Sequence, residues 1–506
     1  MPRDTAASPT ILCQGVAMDV APRVRVPTGG IVQGTWTRGV AAFRGIPFAA
    51  APVGADRFAA PRPAAWWDGV RDVSEFGPAP PQPGHASVGD DWLSLAIWTP
   101  SPAANGLPVI VWISGGAYLR CCTANPHLDG SSLAAGGAVV VSVNYRTGAE
   151  GFAHLEGFPD NRGLLDQIAA LRWVHDNVAA FGGNPHNITV FGESAGAGSI
   201  AALLAMPAAA GLFHRAAIQS LPGTYFTPEL AADITASIAE ETRGQHRHPV
   251  SLTDVTPPEL VAATRVVTER LPHMSGWWGA VAHTPTPFSP VVDGDILPKP
   301  PWSVLASGQA RDIPMFVSHV RDEFRLLAAR LGPTTDDEVD QLIDNLAVTV
   351  SAERYRAEFP HLTAEQLREI ALADWLFRMP TIHLADAARA GGGLVWTSEL
   401  CWGFGPQGAS HGLDTLLVFG TADADGEITA AGSAAVQEAR MLSELMRTEF
   451  LAFAATGNPG WPRYEPPHDT TRIYDTTPSV EPYPEQRSQT IWRDHHFEAI
   501  NLPKPT

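Results

Sequence analysis

Residues 188–203 read I-T-V-F-G-E-S-A-G-A-G-S-I-A-A-L, a β-branched run passing into an Ala/Leu-rich one across Ser194, which stands between Gly192 and Gly196. A chain that leaves a strand and enters a helix within one residue turns too sharply for bulky neighbours, so both glycines have a steric purpose there. The same turn lifts the serine hydroxyl off the end of the strand, where a nucleophile must stand. The pattern G-x-S-x-G is a weak signal by itself in a chain with 46 glycines. Residues 408–412, G-A-S-H-G, repeat it around Ser410, but they follow Gly403, Phe404, Gly405, Pro406 and Gln407, which cannot form a buried strand. Context therefore selects Ser194 over Ser410.

The rest of the chain extends the alternation that this turn begins. Short β-rich runs lie at 29–37, 40–43, 95–98, 108–113, 138–143, 188–191, 313–318, 394–399 and 471–474, and a helical period runs through Leu165, Ile168, Leu171, Val174 and Val178. Strands separated by helices imply an α/β fold, a large and mostly parallel sheet with helices on both faces. The proline-rich stretch 51–83 reads as irregular surface loop. Between 335 and 389 the pattern is helical, with Asp336, Asp337 and Glu338 suited to a helix N-terminus. That segment is expected to be an inserted helical layer near the ligand-binding edge of the sheet, within a single domain spanning 1–506. Residues 1–22 are expected to be poorly ordered; they lack a cationic head followed by an apolar segment, so no secretory leader is expected.

A net charge of −19 without a Lys/Arg-rich run argues against nucleic acid as a partner, and no stretch of about 18 apolar residues suggests a membrane span. Cys13, Cys121, Cys122 and Cys401 fit neither a zinc site nor a disulfide framework. Adjacent Cys121 and Cys122 would make a strained mutual bridge, so free thiols and a reducing, cytoplasmic location are expected. No metal or cofactor motif is present.

A serine hydroxyl attacks only when a base takes its proton, and that base needs an acid to fix its tautomer. In α/β-hydrolases, whose nucleophile turn this segment resembles, the acid and then the base follow in the chain. His411, after a glycine-rich loop and before an apolar run, has the placement of the base; its ordinary pKa is about 6 to 7. Asp322 and Glu323, just after the run 313–318, are both placed to be the acid, and spacing does not choose between them. Residues 113–117, I-S-G-G-A, supply a small-residue loop whose N–H groups can hold an oxyanion.

These residues, with A-F-R-G-I-P-F-A (42–49), V-V-V-S-V-N-Y-R (139–146), N-R-G-L-L-D-Q (161–167), F-G-G-N-P (181–185), F-G-E-S-A-G (191–196), R-D-E (321–323) and H-G-L-D (411–414), occur in an order that resembles the type B carboxylesterase and cholinesterase family. The resemblance implies an α/β-hydrolase fold with a helical layer over an active-site gorge. It also implies hydrolysis of small-molecule carboxylic esters by Ser194, Glu323 and His411 without a cofactor, as a monomer or homodimer. Gly116, Ala117 and Ala195 match the family's oxyanion donors, and Ser220 matches a serine that supports the acid. Arg44 with Asp90 or Asp91, and Arg146 with Asp166, resemble its structural ion pairs. Trp277, Trp278 and Phe288 fall in a region that lines the gorge in relatives. The same machinery could serve an acyltransferase or amidase, and the family includes non-catalytic binding proteins. Three positions depart from the family pattern: Ser114 stands where His or an aromatic residue is usual, the first disulfide is missing, and Glu150 replaces an apolar residue.

Overall fold

The computed structural model describes residues 20–85, 89–243 and 251–503. The expectations for Cys13 and for residues 1–19 lie outside these. Its centre is an 11-stranded sheet. In chain order the strands are β1 (Thr35–Thr37), β2 (Val40–Pro47), β3 (Ser94–Thr99), β4 (Leu107–Ile113), β5 (Val139–Val143), β6 (Gly183–Glu193), β7 (Arg215–Gln219), β8 (Met315–Val320), β9 (Val395–Leu400), β10 (Thr470–Tyr474) and β11 (Ser479–Pro482). Their spatial order is 11-10-9-8-7-6-4-5-3-2-1. From β5 through β4 and on to β10 every pairing is parallel, while both edges are antiparallel.

The central parallel strands β4 and β5 read as near-continuous apolar runs because both faces are covered. On β4, Val109, Val111 and Ile113 enter one core while Ile110 and Trp112 enter the other. Helix α1 (Gly148–Phe152), α2 (Arg162–Asn177) and α3 (Ala195–Ala205) pack on the first face. The layer expected at 335–389 consists of α4 (Asp336–Leu346), α5 (Ala352–Glu358), α6 (Ala364–Ala373), a π-turn (Asp374–Arg378) and α7 (Met379–Ala390). Helix α4 opens on a reciprocal cap, in which Glu338 N donates to Thr335 Oγ1 and Thr335 N donates to Glu338 Oε2. Helix α8 (Leu413–Phe419) and α9 (Ser433–Thr456) cover the second face. No helix among the described residues is long and apolar enough to cross a membrane.

Three local expectations are corrected. The run 29–37 is not one strand: it breaks at Gly34, where a Cβ would meet the Ala42 carbonyl at 2.2 Å, and its first part, Ile31–Gln33, joins a separate sheet. That three-stranded sheet also takes Val70–Asp72 from the stretch expected to be irregular. Arg44 forms no ion pair with Asp90 or Asp91; it donates to Thr35 Oγ1 and the Ser74 carbonyl and lies over the Phe76 ring.

Arg146 and Asp166, both fully buried, pair at 2.7 Å as expected. Glu150 also finds a physical reason. Its carboxylate, 4% exposed, is held by Arg57 at 2.5 Å, and Arg57 donates onward to the carbonyls of Thr253 and Val255, so the pair ties α1 to a segment about a hundred residues away. Arg57→Ala should cost about 3–5 kcal/mol of stability, because it strands a buried charge. A denaturant midpoint unchanged from the parent would contradict this.

Candidate active site

Ser194 adopts φ 55° and ψ −126° between β6 and α3, a strained left-handed backbone for a side chain to hold. Two hydrogen bonds keep it there: Ser194 N donates to the Gln219 carbonyl at the end of β7 (2.9 Å), and Gly198 N donates to the Ser194 carbonyl (2.9 Å). A Cβ on Gly196 would lie 2.0 Å from the Ile113 carbonyl, and one on Gly192 would lie 2.7 Å from Gly196. The two glycines are therefore required by the close approach of the β4 backbone.

His411 reaches the turn from a second loop. Its Nδ1 lies 2.5 Å from Glu323 Oε2, and its Nε2 faces Glu193 Oε1 at 3.0 Å. Glu323 is fully buried, and its other oxygen accepts from Val320 N at 3.0 Å. Burial works against the Glu323 charge, but His411, the Ser220 hydroxyl and the Val320 N–H outweigh it and hold the carboxyl below its usual range. Ser220, itself buried with φ 54°, faces the carboxylate without the geometry of a full hydrogen bond. Burial also opposes a charge on His411, yet Glu193 and Glu323 hold its pKa well above 6.5. The imidazole is thus displaced upward from the ordinary range of about 6 to 7. Asp414, one turn beyond, is buried close to the same two carboxylates and is pushed up to about 8.

Asp322 does different work from its neighbour. Ala409 N donates to its Oδ2 at 2.8 Å, and Asp322 N donates back to the Ala409 carbonyl at 2.9 Å, which zips the loop carrying His411 onto the loop carrying Glu323. Gly408 is left-handed, and a Cβ there would collide with the Asp322 carboxylate at 2.2 Å. The first glycine of the run that mimics the Ser194 motif thus serves this clamp, while Gly412, left-handed at φ 85°, precedes helix α8.

The loop after β4 lies against the turn, since a Cβ on Gly115 would meet Ser194 Cβ at 3.2 Å. Gly116 (φ 123°), Ala117 (φ 57°) and Tyr118 (φ 55°) form a left-handed run. The N–H groups of Gly116 and Ala117 donate to no acceptor among the described residues, and that of Ala195 begins a helix, where no intrahelical acceptor exists. Successive free N–H groups in such a run form an anion-binding concavity. Ser114 is buried and its carbonyl accepts from Tyr145 Oη at 2.6 Å, so here a tyrosine from the β5 side orients the loop. A cavity of about 620 Å³ opens beside it, lined by Ser114, Gly115, Gly116, Cys122, Glu193 and Gly412 among others.

The fold thus brings His411, Glu323 and Ser220 together and lays the loop of Gly116 and Ala117 against the turn of Ser194 and Ala195, with no hydrogen bond joining Ser194 to His411. Sequence reasoning missed Glu193, although it sits in the F-G-E-S-A-G run, and it missed Phe377, whose ring lies 4.3 Å from that of His411. Trp277 is largely exposed, while Trp278 is buried with its Nε1 donating to Asp233 at 2.7 Å. Cys121, Cys122 and Cys401 are free thiols.

Comparison with known proteins identifies the family. The sequence profile of the carboxylesterase family matches residues 20–492. The chain is 35% identical to the para-nitrobenzyl esterase of Bacillus subtilis (strain 168), covering 91% of this chain and 96% of that one. It is 32% identical to Homo sapiens carboxylesterase 3, covering 86% and 82%. The crystal structure of a Geobacillus stearothermophilus carboxylesterase superposes with a TM-score of 0.82 at 32% identity, covering 93% of this chain and 99% of that one. Of the readings the sequence left open, ester hydrolysis is the one these relatives support. With its α/β-hydrolase fold, the chain belongs to the carboxylesterase family and is a serine hydrolase of carboxylic esters.

Proposed function

We propose that Ser194 is the nucleophile, His411 the general base and Glu323 the acid that orients it, with Gly116, Ala117 and Ala195 as oxyanion donors and Ser220 supporting Glu323. The observation that carries this reading is the 2.5 Å approach of His411 Nδ1 to a fully buried carboxylate, on a loop that ends beside the strained serine. His411 Nε2 takes the Ser194 proton as Oγ attacks the ester carbonyl, and the three N–H groups stabilise the tetrahedral oxyanion. The C–O bond to the alcohol breaks as His411 returns the proton to it. Water then repeats the sequence on the acyl-enzyme. Ser194 Oγ is not bonded to Nε2 here; such bonds are commonly long before substrate binds and tighten in the complex.

The substrates are small-molecule carboxylic esters, as membership of the carboxylesterase family supports. The name of the Bacillus subtilis relative makes para-nitrobenzyl and para-nitrophenyl esters of short acids the first probes. Labelling with a fluorophosphonate, followed by peptide mass mapping, is expected to mark Ser194; labelling elsewhere, or none, defeats the assignment. The chain is read as a single domain, since one sheet carries both cores from residue 35 to 482. Three free thiols favour a cytoplasmic location, which cell fractionation tests. A monomer or homodimer is expected by light scattering.

Because the base must be neutral, kcat/KM should fall as pH drops through the raised pKa of His411, so the acid limb lies above pH 6.5. Glu193→Gln removes one of the two charges facing the imidazole, and the limb should move to lower pH. A limb that stays in place in this variant would show that Glu193 does not act on His411.

A further inference from the structure

We propose that Phe377, presented by the π-turn Asp374–Arg378, is a positioning residue for His411, fixing the plane of the imidazole so that Nε2 can swing only between Glu193 and Ser194. The inference rests on the assignment of His411 as the base. The imidazole is held at its edges by Glu323 on Nδ1 and Glu193 on Nε2. Contacts at two edges leave the ring free to roll about the line that joins them. The Phe377 ring removes that freedom: it is 3% exposed and lies 4.3 Å from the His411 ring with 35° between planes.

The turn that delivers it has an identifiable cause. Pro380 has no N–H to give the Leu376 carbonyl four residues earlier, so the α-helical ladder breaks there. That carbonyl instead accepts from Gly223 N at 2.8 Å, on the loop that follows Ser220. A Cβ on Gly223 would lie 2.6 Å from Pro380 and 3.1 Å from the Trp375 carbonyl, so the two segments meet backbone to backbone. Arg378, the last residue of the turn, is buried against Asp374 at 2.7 Å and Glu485 at 3.3 Å, which locks the other end. One extra residue in a helical turn, held at both ends, thus rotates Phe377 onto the base. π-Turns of this kind recur at functional sites.

The test compares Phe377→Ala, Phe377→Leu and His411→Asn on a short-chain para-nitrophenyl ester. Phe377→Ala is expected to lower kcat about 10- to 100-fold, the scale of a small misplacement of a reacting group, with little change in KM. Phe377→Leu restores an apolar face and should recover most of the rate. The far-downfield proton NMR signal of His411 Nδ1–H should be present in the parent and the leucine variant and broadened in the alanine variant. If Phe377→Ala keeps the parental kcat, or raises KM alone, Phe377 is only a pocket wall and the proposal fails while the base assignment stands. If His411→Asn retains turnover, the base assignment itself fails.

Discussion

Ser194→Ala is expected to lower kcat on a chromogenic ester by about 10⁶-fold while leaving the fold intact, since loss of a serine nucleophile typically costs that much. The substitution deletes only Oγ. The hydrogen bonds that hold the turn are made by the Ser194 backbone, N–H to Gln219 and carbonyl to Gly198, and alanine keeps both. Stability should therefore change by no more than about 0.5 kcal/mol, so lost turnover would not be attributable to unfolding. A residue of catalysis, about 10³- to 10⁴-fold over water, should survive through the oxyanion donors and substrate binding. Ser410→Ala is the matched control: its serine sits in the same sequence pattern, beside the Asp322 clamp and not on a strand-to-helix turn. Parental activity in Ser194→Ala would end the assignment, and so would a comparable loss in Ser410→Ala with Ser194→Ala active.

What the sequence made legible was local, and what it concealed depended on distant partners. The turn at Ser194 was readable because its glycines lie within two residues of the serine and answer to a single steric demand. Strand β7 escaped notice because R-A-A-I-Q has neither alternation nor a β-branched run, yet it is a central strand and supplies the Gln219 carbonyl that fixes Ser194. Glu150 was visible as a departure with no reason attached, because Arg57 lies 93 residues earlier. Glu193 was in plain view beside the nucleophile, but only the path of the 403–412 loop places His411 against it. Phe377 carried no signal at all: its role depends on a π-turn that pairs Leu376 with Gly223. The choice between Asp322 and Glu323 belongs to the same class. Neighbours in sequence, they reach different points of one loop, one the backbone of Ala409 and the other the imidazole of His411.

That divergence yields the second large effect. Glu323→Gln is expected to lower kcat about 10⁴-fold, the magnitude seen when the acid of a serine triad becomes an amide. Glutamine matches the shape of the carboxylate and can keep the acceptor for Val320 N–H on one oxygen, so the buried site stays filled. The other terminus then becomes NH₂ and meets His411 Nδ1–H donor against donor. The imidazole relieves this by moving its proton to Nε2, where it can no longer take one from Ser194. Losing a charge beside His411 should also lower its pKa, so the remaining activity should show its acid limb at lower pH than the parent. A loss of rate with the limb unmoved would point to a packing defect and not to a lost partner of the base. Asp322→Asn separates the two acids: it weakens the clamp to Ala409 and the ion pair with Arg325, 2.7 Å away, so it should act mainly on stability. If Asp322→Asn instead lost 10⁴-fold while Glu323→Gln stayed active, the acid would be Asp322, and the short contact between Glu323 and His411 would be structural.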